Sequence, residues 1–190
     1  MGNELEYYLS LESDLEVCSK YVEFSEDNFR TYSVQFTKII MAASAEIDTL
    51  AKEMCKIIDP SLDPKSIRGI GKYAELILGK YPKLVNIEMS VPRYGLSFKP
   101  WGNWSKTESP SWWQGNNALK HDRVNNFQKA NLENAIESLA ALLALTLYYH
   151  IEKNGKPLEI NAFFSPRLLS VVEENNDWTS GGITHSFNLP

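Results

Sequence analysis

Cysteine is scarce in this 190-residue chain, and Cys18 and Cys55 stand far outside CxxC or CxxxC spacing. That excludes a disulfide framework and a zinc site of the usual spacing, and nothing else in the sequence calls for a metal or cofactor. With no signal-peptide pattern, the expected setting is reducing and cytoplasmic. The chain also lacks a GxSxG elbow, a GxxxxGK[ST] loop and an HExxH pair, so most familiar reaction classes lose their sequence support. Long hydrophobic runs are missing too. The longest nearly uncharged stretch, Ser138 to His150, is too short to span a bilayer, so no membrane role is expected. Nor is there an excess of positive charge: 19 basic residues against 24 acidic ones give a net charge of −5, which argues against a protein that coats DNA through counterion release.

What the chain does have is enough apolar material for a core. It is 43% hydrophobic and 12% aromatic, with 23% charged residues for a surface. This excludes wholesale disorder and fits one domain over 1–190.

The periodicity is mainly helical. From Thr31 to Ile58, the residues Phe36, Ile40, Ala43, Ile47, Leu50, Met54 and Ile57 recur at steps of three and four, and Asp59-Pro60 stops the pattern. Before it, Glu4 to Phe24 is ambiguous between a helix and an extended arm, with Ser10 to Lys20 read as helix. A shorter helix runs from Ile67 to Tyr81, ended by Pro82. The string Gly69-Ile70-Gly71-Lys72 looks superficially like a phosphate loop, but it lies inside this helical pattern and reads better as helix-packing glycines. Val85, Ile87 and Met89 then alternate with polar residues among prolines and glycines up to Phe98, the texture of a small hairpin or lid. Ser111 and Gln114 have capping-box spacing for a helix from Trp112 to about Asp122. Asn125 or Asn126 is placed to cap the next helix, Asn126 to Ile151, whose second half is apolar nearly all round. Gly155 and Pro157 close it, and a short strand is expected near 158–163. The expected architecture is therefore mainly α: an antiparallel helical bundle whose two long core helices are 31–58 and 126–151, with a small β insertion.

Charge is uneven along this frame. Arg93 to Lys129 carries six Lys/Arg against Glu108 and Asp122, a net of +4, and holds four of the five tryptophans: Trp101, Trp104, Trp112 and Trp113. Cations mixed with aromatics suit a single-stranded nucleic acid, whose phosphates meet Lys/Arg while its bases stack on rings. The alternative is that the tryptophans fill the gap between a loop and the bundle. Within the segment, Trp113, Asn117 and His121 fall on one helical face, flanked by Lys120 and Arg123. Two cations favour a neutral imidazole, which can act as a general base, while Lys120 and Arg123 can hold a phosphate. The competing reading has Asn117 and His121 bonding each other, or nearby backbone, to fix a turn.

The run Trp112-Trp113-Gln114-Gly115-Asn116-Asn117-Ala118-Leu119-Lys120-His121-Asp122-Arg123 is followed by Ala130-Asn131-Leu132-Glu133-Asn134-Ala135. It resembles a group of uncharacterised bacterial proteins with a WWxxYNxxKHxR pattern, relatives of the HEPN superfamily of higher-eukaryote and prokaryote nucleotide-binding helical bundles. Ser44-Ala45-Glu46-Ile47-Asp48 with Lys52 resembles the acidic element of such bundles. The resemblance implies a helical bundle, often dimeric, whose ribonuclease members carry Arg, a polar residue, three residues and then His. His121 and Asn117 sit where that His and a polar Asn would sit. Asn116 stands in the arginine's place.

On that basis His121, Arg123 and Asn117 are the candidate catalytic residues. Lys120, Glu46, Trp113 and Asn116 are the candidate ligand-binding residues, with Glu46 expected to face the Lys120–Arg123 segment. The expected partners are RNA or another phosphate-containing ligand, and a second copy of the chain. If the protein is an enzyme it is a metal-independent ribonuclease, as in bacterial defence or toxin systems. The competing class is a non-catalytic helical interaction or dimerisation module.

Overall fold

The computed structural model describes residues 3–63, 65–157, 159–160, 166–172 and 185–186. Among the described residues five α-helices carry the fold: α1 (Asn3–Cys18), α2 (Val34–Ile58), α3 (Ile70–Lys80), α4 (Ser111–Asn126) and α5 (Leu132–Asn154). The architecture is mainly helical with a small antiparallel sheet, in keeping with the sequence pattern.

The long helices begin where side chains supply caps. The Ser33 hydroxyl accepts from the Phe36 N–H at 3.1 Å to start α2, and the Asn131 side chain accepts from the Asn134 N–H at 2.9 Å to start α5. Gly155, at φ 69°, closes α5 in the left-handed conformation that glycine adopts without strain. Asn131 takes the role the sequence assigned to Asn125 or Asn126. Those two are spent earlier, at a break in α4 where Asp122 leaves helical geometry (φ −152°, ψ 73°). The Asn125 amide donates to Asp122 Oδ2 at 2.7 Å, and the Asn126 amide donates to the Asp122 carbonyl at 2.8 Å. An aspartate that offers its own acceptors to the next turn competes with helix continuation.

The relative direction of the long helices differs from the expectation. Tyr32 and Asn131 form a β-bridge, the Ser33 N–H donates to the Ala130 carbonyl at 3.0 Å, and the Leu132 N–H donates to the Thr31 carbonyl at 2.9 Å. Helices α2 and α5 therefore start together at one end and run side by side in the same direction. Periodicity says nothing about direction, and the long connection between the two helices leaves either order open. The antiparallel members are α1 and α4. Lys153 near the end of α5 pairs with Glu4 at the start of α1 at 3.0 Å, while Phe29, in the loop after α1, accepts from the Glu133 N–H. Ser111, at the start of α4, meets Glu137, and Gly115 meets Asn134, one turn nearer the start of α5.

Helix α1 is longer than the ambiguous pattern suggested, with Leu5, Tyr8, Leu11, Leu15 and Cys18 buried on its inner face. The hairpin is β1 (Met89–Val91) with β2 (Leu96–Phe98), in register Met89 opposite Phe98. Among the described residues three short strands follow α5: β3 (Glu159–Ile160), which pairs with β5 (His185–Ser186), and β4 (Ser170–Val171), which adds to β1. The strand expected near 158–163 corresponds to β3, and the rest of that span lies outside the described residues. Met89, Val91, Leu96 and Phe98 are buried, so the hairpin is packed into the core and does not form a lid.

Between the hairpin and α4, the chain folds its tryptophans inward. Trp101 and Trp112 are fully buried, with ring centroids 5.3 Å apart and planes nearly perpendicular. Trp104 packs on Trp101 at 4.4 Å, and Trp113 packs on Trp112 at 5.7 Å. The indole N–H groups find backbone acceptors. Trp101 donates to the Ala141 carbonyl, Trp112 to that of Pro100 and Trp104 to that of Ile70. Large rings with a satisfied polar tip are strong core formers, and here they tie the 99–110 loop across α3, α4 and α5.

Candidate functional site

Helix α4 divides at about Leu119. Its first half is consumed by packing: Trp112, Trp113, Gly115, Asn116 and Leu119 are buried. Gly115 has a steric reason to lack a side chain. A Cβ there would lie 2.8 Å from Asn134 Nδ2, which itself donates to the Lys129 carbonyl. Helices α4 and α5 approach too closely at this position for any side chain without a shift of Asn134.

The expected capping box is not formed. The Ser111 hydroxyl donates to Glu137 Oε2 at 3.0 Å, and the Gln114 amide donates to the Ser109 carbonyl at 2.8 Å. Burial raises the Glu137 carboxyl to about 7; the Ser111 hydroxyl pulls the other way, and nearby Glu133 adds to the rise.

The second half of α4 is open. Asn117, Lys120, His121 and Arg123 are all exposed, and none of their side chains makes a hydrogen bond or ion pair among the described residues. Asn117 and His121 therefore do not bond each other, which removes the reading in which they fix a turn. Asp122 keeps its carboxylate on Asn125, so the only acid in the Lys120–Arg123 run is spent within its own turn. Because the helix breaks at Asp122, Arg123 leaves the helical wheel that holds Lys120 and His121, and a fixed angle per residue no longer gives its direction.

Three expected ligand-binding residues are placed differently from the other site residues. Trp113 is only 9% exposed and lies edge-on to Trp112, so its ring is core surface with no free face for a base. The tryptophans as a group pack between loop and bundle, as the competing reading had it. Asn116 is likewise buried, at 8% exposure, beneath the open face. Glu46 is half-buried on α2 and does not face the α4 edge. The neighbouring charge that raises its carboxyl, after burial, is Glu4, which is paired with Lys153. Lys153 lies 21 positions beyond the start of α5, about 30 Å along the helix axis from the end where α4 breaks. Glu46 lies at the midpoint of α2, about 18 Å from either end, so the direction of that helix does not decide its distance from the α4 break; the side of α2 it occupies does.

Sequence reasoning missed a concavity between α2 and the start of α3, with a volume of about 560 Å³. The signal present was Gly69-Ile70-Gly71-Lys72, whose glycines are partly explained by packing: a Cβ on Gly71 would lie 2.5 Å from the Lys106 carbonyl oxygen. Among the described residues no cluster of His, Cys, Asp and Glu is arranged to hold a metal ion, and no helix is long and apolar enough to cross a membrane. No protein-family model, curated protein or solved structure matches the chain.

Proposed function

We propose that this HEPN-like bundle binds the phosphates of RNA, or of another phosphate-rich ligand, along the open half of α4. The observation that carries the reading is the set of four exposed side chains, Asn117, Lys120, His121 and Arg123, with no partner among the described residues, in a helix where Ser111, Gln114, Asp122, Asn125 and Asn126 bond within the fold. Lys120 and Arg123 supply charge to phosphate oxygens, while His121 and Asn117 supply hydrogen bonds. With Trp101, Trp104, Trp112 and Trp113 buried, these rings offer no platform for base stacking, so binding is backbone-directed, salt-dependent and weakly selective for sequence.

Cleavage is the weaker half of this reading. A metal-free ribonuclease needs a base for the 2′-hydroxyl and a cation for the charge that develops on the phosphorane. His121 provides the first. Asn116 is neutral and buried where the resemblance has an arginine, so the second has to come from Arg123, and a homodimer that contributes Arg123 in trans is the geometry that would complete the site. In that form the protein would act as a ribonuclease of a bacterial defence or toxin system, in the cytoplasm.

The test is an RNA-binding and cleavage assay of the wild type beside His121→Ala, Arg123→Ala and the Lys120→Ala/Arg123→Ala double variant. Binding is expected to weaken in the double variant, with the slope of log K against log salt falling by about one for each phosphate that is no longer neutralised. Sustained cleavage abolished by His121→Ala and untouched by Arg123→Ala would overturn the argument about the missing arginine.

A second reading, a non-catalytic interaction or dimerisation module, is favoured by the apolar side chains left open at the same end. Val124 is 86% exposed, Val34 56% and Tyr32 52%, and Tyr32 packs on Phe127. Under that reading a Val124→Lys variant loses self-association in sedimentation, and RNA binding is absent throughout.

A further inference from the structure

Helix α3 starts at the mouth of the concavity between α2 and the 65–69 loop. Three cations line it: Lys52 from α2, and Lys65 and Arg68 from the loop. The single carboxylate in the wall, Asp48, is already engaged on both oxygens, by Lys52 and by the Tyr73 hydroxyl, which donates to Oδ1 at 2.7 Å. Lys65 and Arg68 are exposed, and their side chains have no partner among the described residues.

Three like charges around one hollow repel each other, and in a chain of net charge −5 they are not needed to balance the whole. Counting Asp48, the wall carries +2. A phosphomonoester carries about −1.5 to −2 at neutral pH and three strong acceptor oxygens, so it matches both the charge and the donors. The first turn of α3 adds to the match. Gly69, at φ 83°, leads into the helix with no side-chain cap, leaving the Ile70 and Gly71 N–H groups without intrahelical acceptors. The volume lies within the range of about 300–1,000 Å³ typical of small-molecule sites, and buried Ile67 and Tyr73 close the floor with carbon.

We propose that this pocket binds a small organic phosphomonoester. Lys65 and Arg68 contact the phosphate directly, and Lys52, held by Asp48, contributes from the opposite wall. Asp48 is a positioning residue, since it acts through Lys52 and the Tyr73 hydroxyl. The site lies on the α2–α3 side of the bundle. It stands independently of the α4 edge, about 20 Å along α2 from the end at which α4 breaks.

The experiment is calorimetric titration of the full chain at fixed ionic strength with glucose 6-phosphate, inorganic phosphate and glucose. The expected result is that glucose 6-phosphate binds, inorganic phosphate binds more weakly, and glucose does not bind. Arg68→Ala and Lys65→Ala each weaken the ester by about tenfold, the loss of one charge-assisted hydrogen bond. Both residues are exposed and unpartnered among the described residues, so these variants keep the fold. The Lys120→Ala/Arg123→Ala variant is the control and retains ester binding, which separates failure of this proposal from failure of the α4 reading. The proposal is overturned by the absence of any titration heat with the ester, by binding indifferent to Arg68→Ala and Lys65→Ala, by equal binding of glucose, or by loss of binding in the α4 control instead.

Discussion

Glu12 and the end of α4 treat polar groups in opposite ways. Glu12 is 3% exposed and pairs with no cation among the described residues, yet donors surround its carboxylate. It accepts from the Tyr8 hydroxyl at 2.8 Å and from the backbone N–H groups of Arg167, Leu168 and Leu169 at 2.8 to 3.1 Å. A buried carboxylate is tolerable only when donors replace water around it, and here residues 167–169 lie against α1 and supply them. Lys120, His121 and Arg123 lie in water and bond to nothing among the described residues. The contrast separates polar groups that hold the fold together from polar groups whose use lies outside it.

The sharpest way to break the comparison is Glu12→Ala. It strands three backbone N–H groups and a tyrosine hydroxyl in the interior, and the expected loss is about 3–5 kcal/mol, the scale for removing one member of a buried charged network. Chemical denaturation read by tryptophan fluorescence would measure it. Glu12→Gln keeps one acceptor but turns an amide NH₂ toward the donors, and should fall between the wild type and the alanine variant. A loss below about 1 kcal/mol for Glu12→Ala, the scale of a single ordinary hydrogen bond, would mean that the 167–169 segment is not held on α1 by this carboxylate.

Next in size are two close approaches, one at the start of α3 and one in the buried half of α4. Gly71→Ala and Gly115→Ala both add a methyl group where there is no room, but against different neighbours. At Gly71 the obstacle is a backbone carbonyl, that of Lys106, whereas at Gly115 it is the Asn134 side chain. Overpacking costs about 1–3 kcal/mol, and the backbone case belongs at the upper end because a loop has to move. Equal melting temperatures for the two variants would contradict this ordering.

The same comparison shows what was legible in the sequence. Periodicity of three and four located α2, which buries one continuous apolar face over many turns, and the start of α5, whose middle turns are buried on every side. The caps were less legible: Asn125 and Asn126 have the right chemistry, but Asp122 takes them first, and Asn131 inherits the role. Helix direction was not legible at all, since an amphipathic face looks the same from either end, and the neighbours of Glu46, at the middle of α2, depend on which side of the helix it occupies. The α4 edge was found through the His, Lys and Arg types and their spacing. The pocket beside Arg68 was not, because it is assembled from two segments that only the fold brings together.

A smaller effect tests the seam between α5 and the start of α4. Glu137, half-buried beneath Ser111, has its carboxyl raised to about 7 from an ordinary 4.5, chiefly by burial. Between those values the folded state keeps a proton that the unfolded chain has released. Stability therefore falls as pH rises from about 4.5 to 7 and changes no further above that for this group. Thermal melts at about pH 5 and about pH 8, which bracket most of that interval, should differ in that direction, and Glu137→Gln should shrink the difference. A wild-type melting temperature that rises across the same interval would assign the seam to other groups.

The smallest expected effect belongs to the α4 edge itself. Lys120→Ala, His121→Ala and Arg123→Ala remove side chains that are exposed and unbonded among the described residues, so each should change stability by less than about 0.5 kcal/mol, the usual range for surface positions away from a cap or a network. Asp122→Ala is the informative neighbour. It deletes the acceptor for the Asn125 side chain and backbone N–H, and a loss of about 1 kcal/mol is expected, as for removal of a cap. Denaturation midpoints for the four variants would then show one costly position among three silent ones. If Lys120→Ala or Arg123→Ala proved as costly as Asp122→Ala, those cations would be holding the fold, and the division between spent and unspent polar groups would fail at the place where the phosphate-binding reading depends on it.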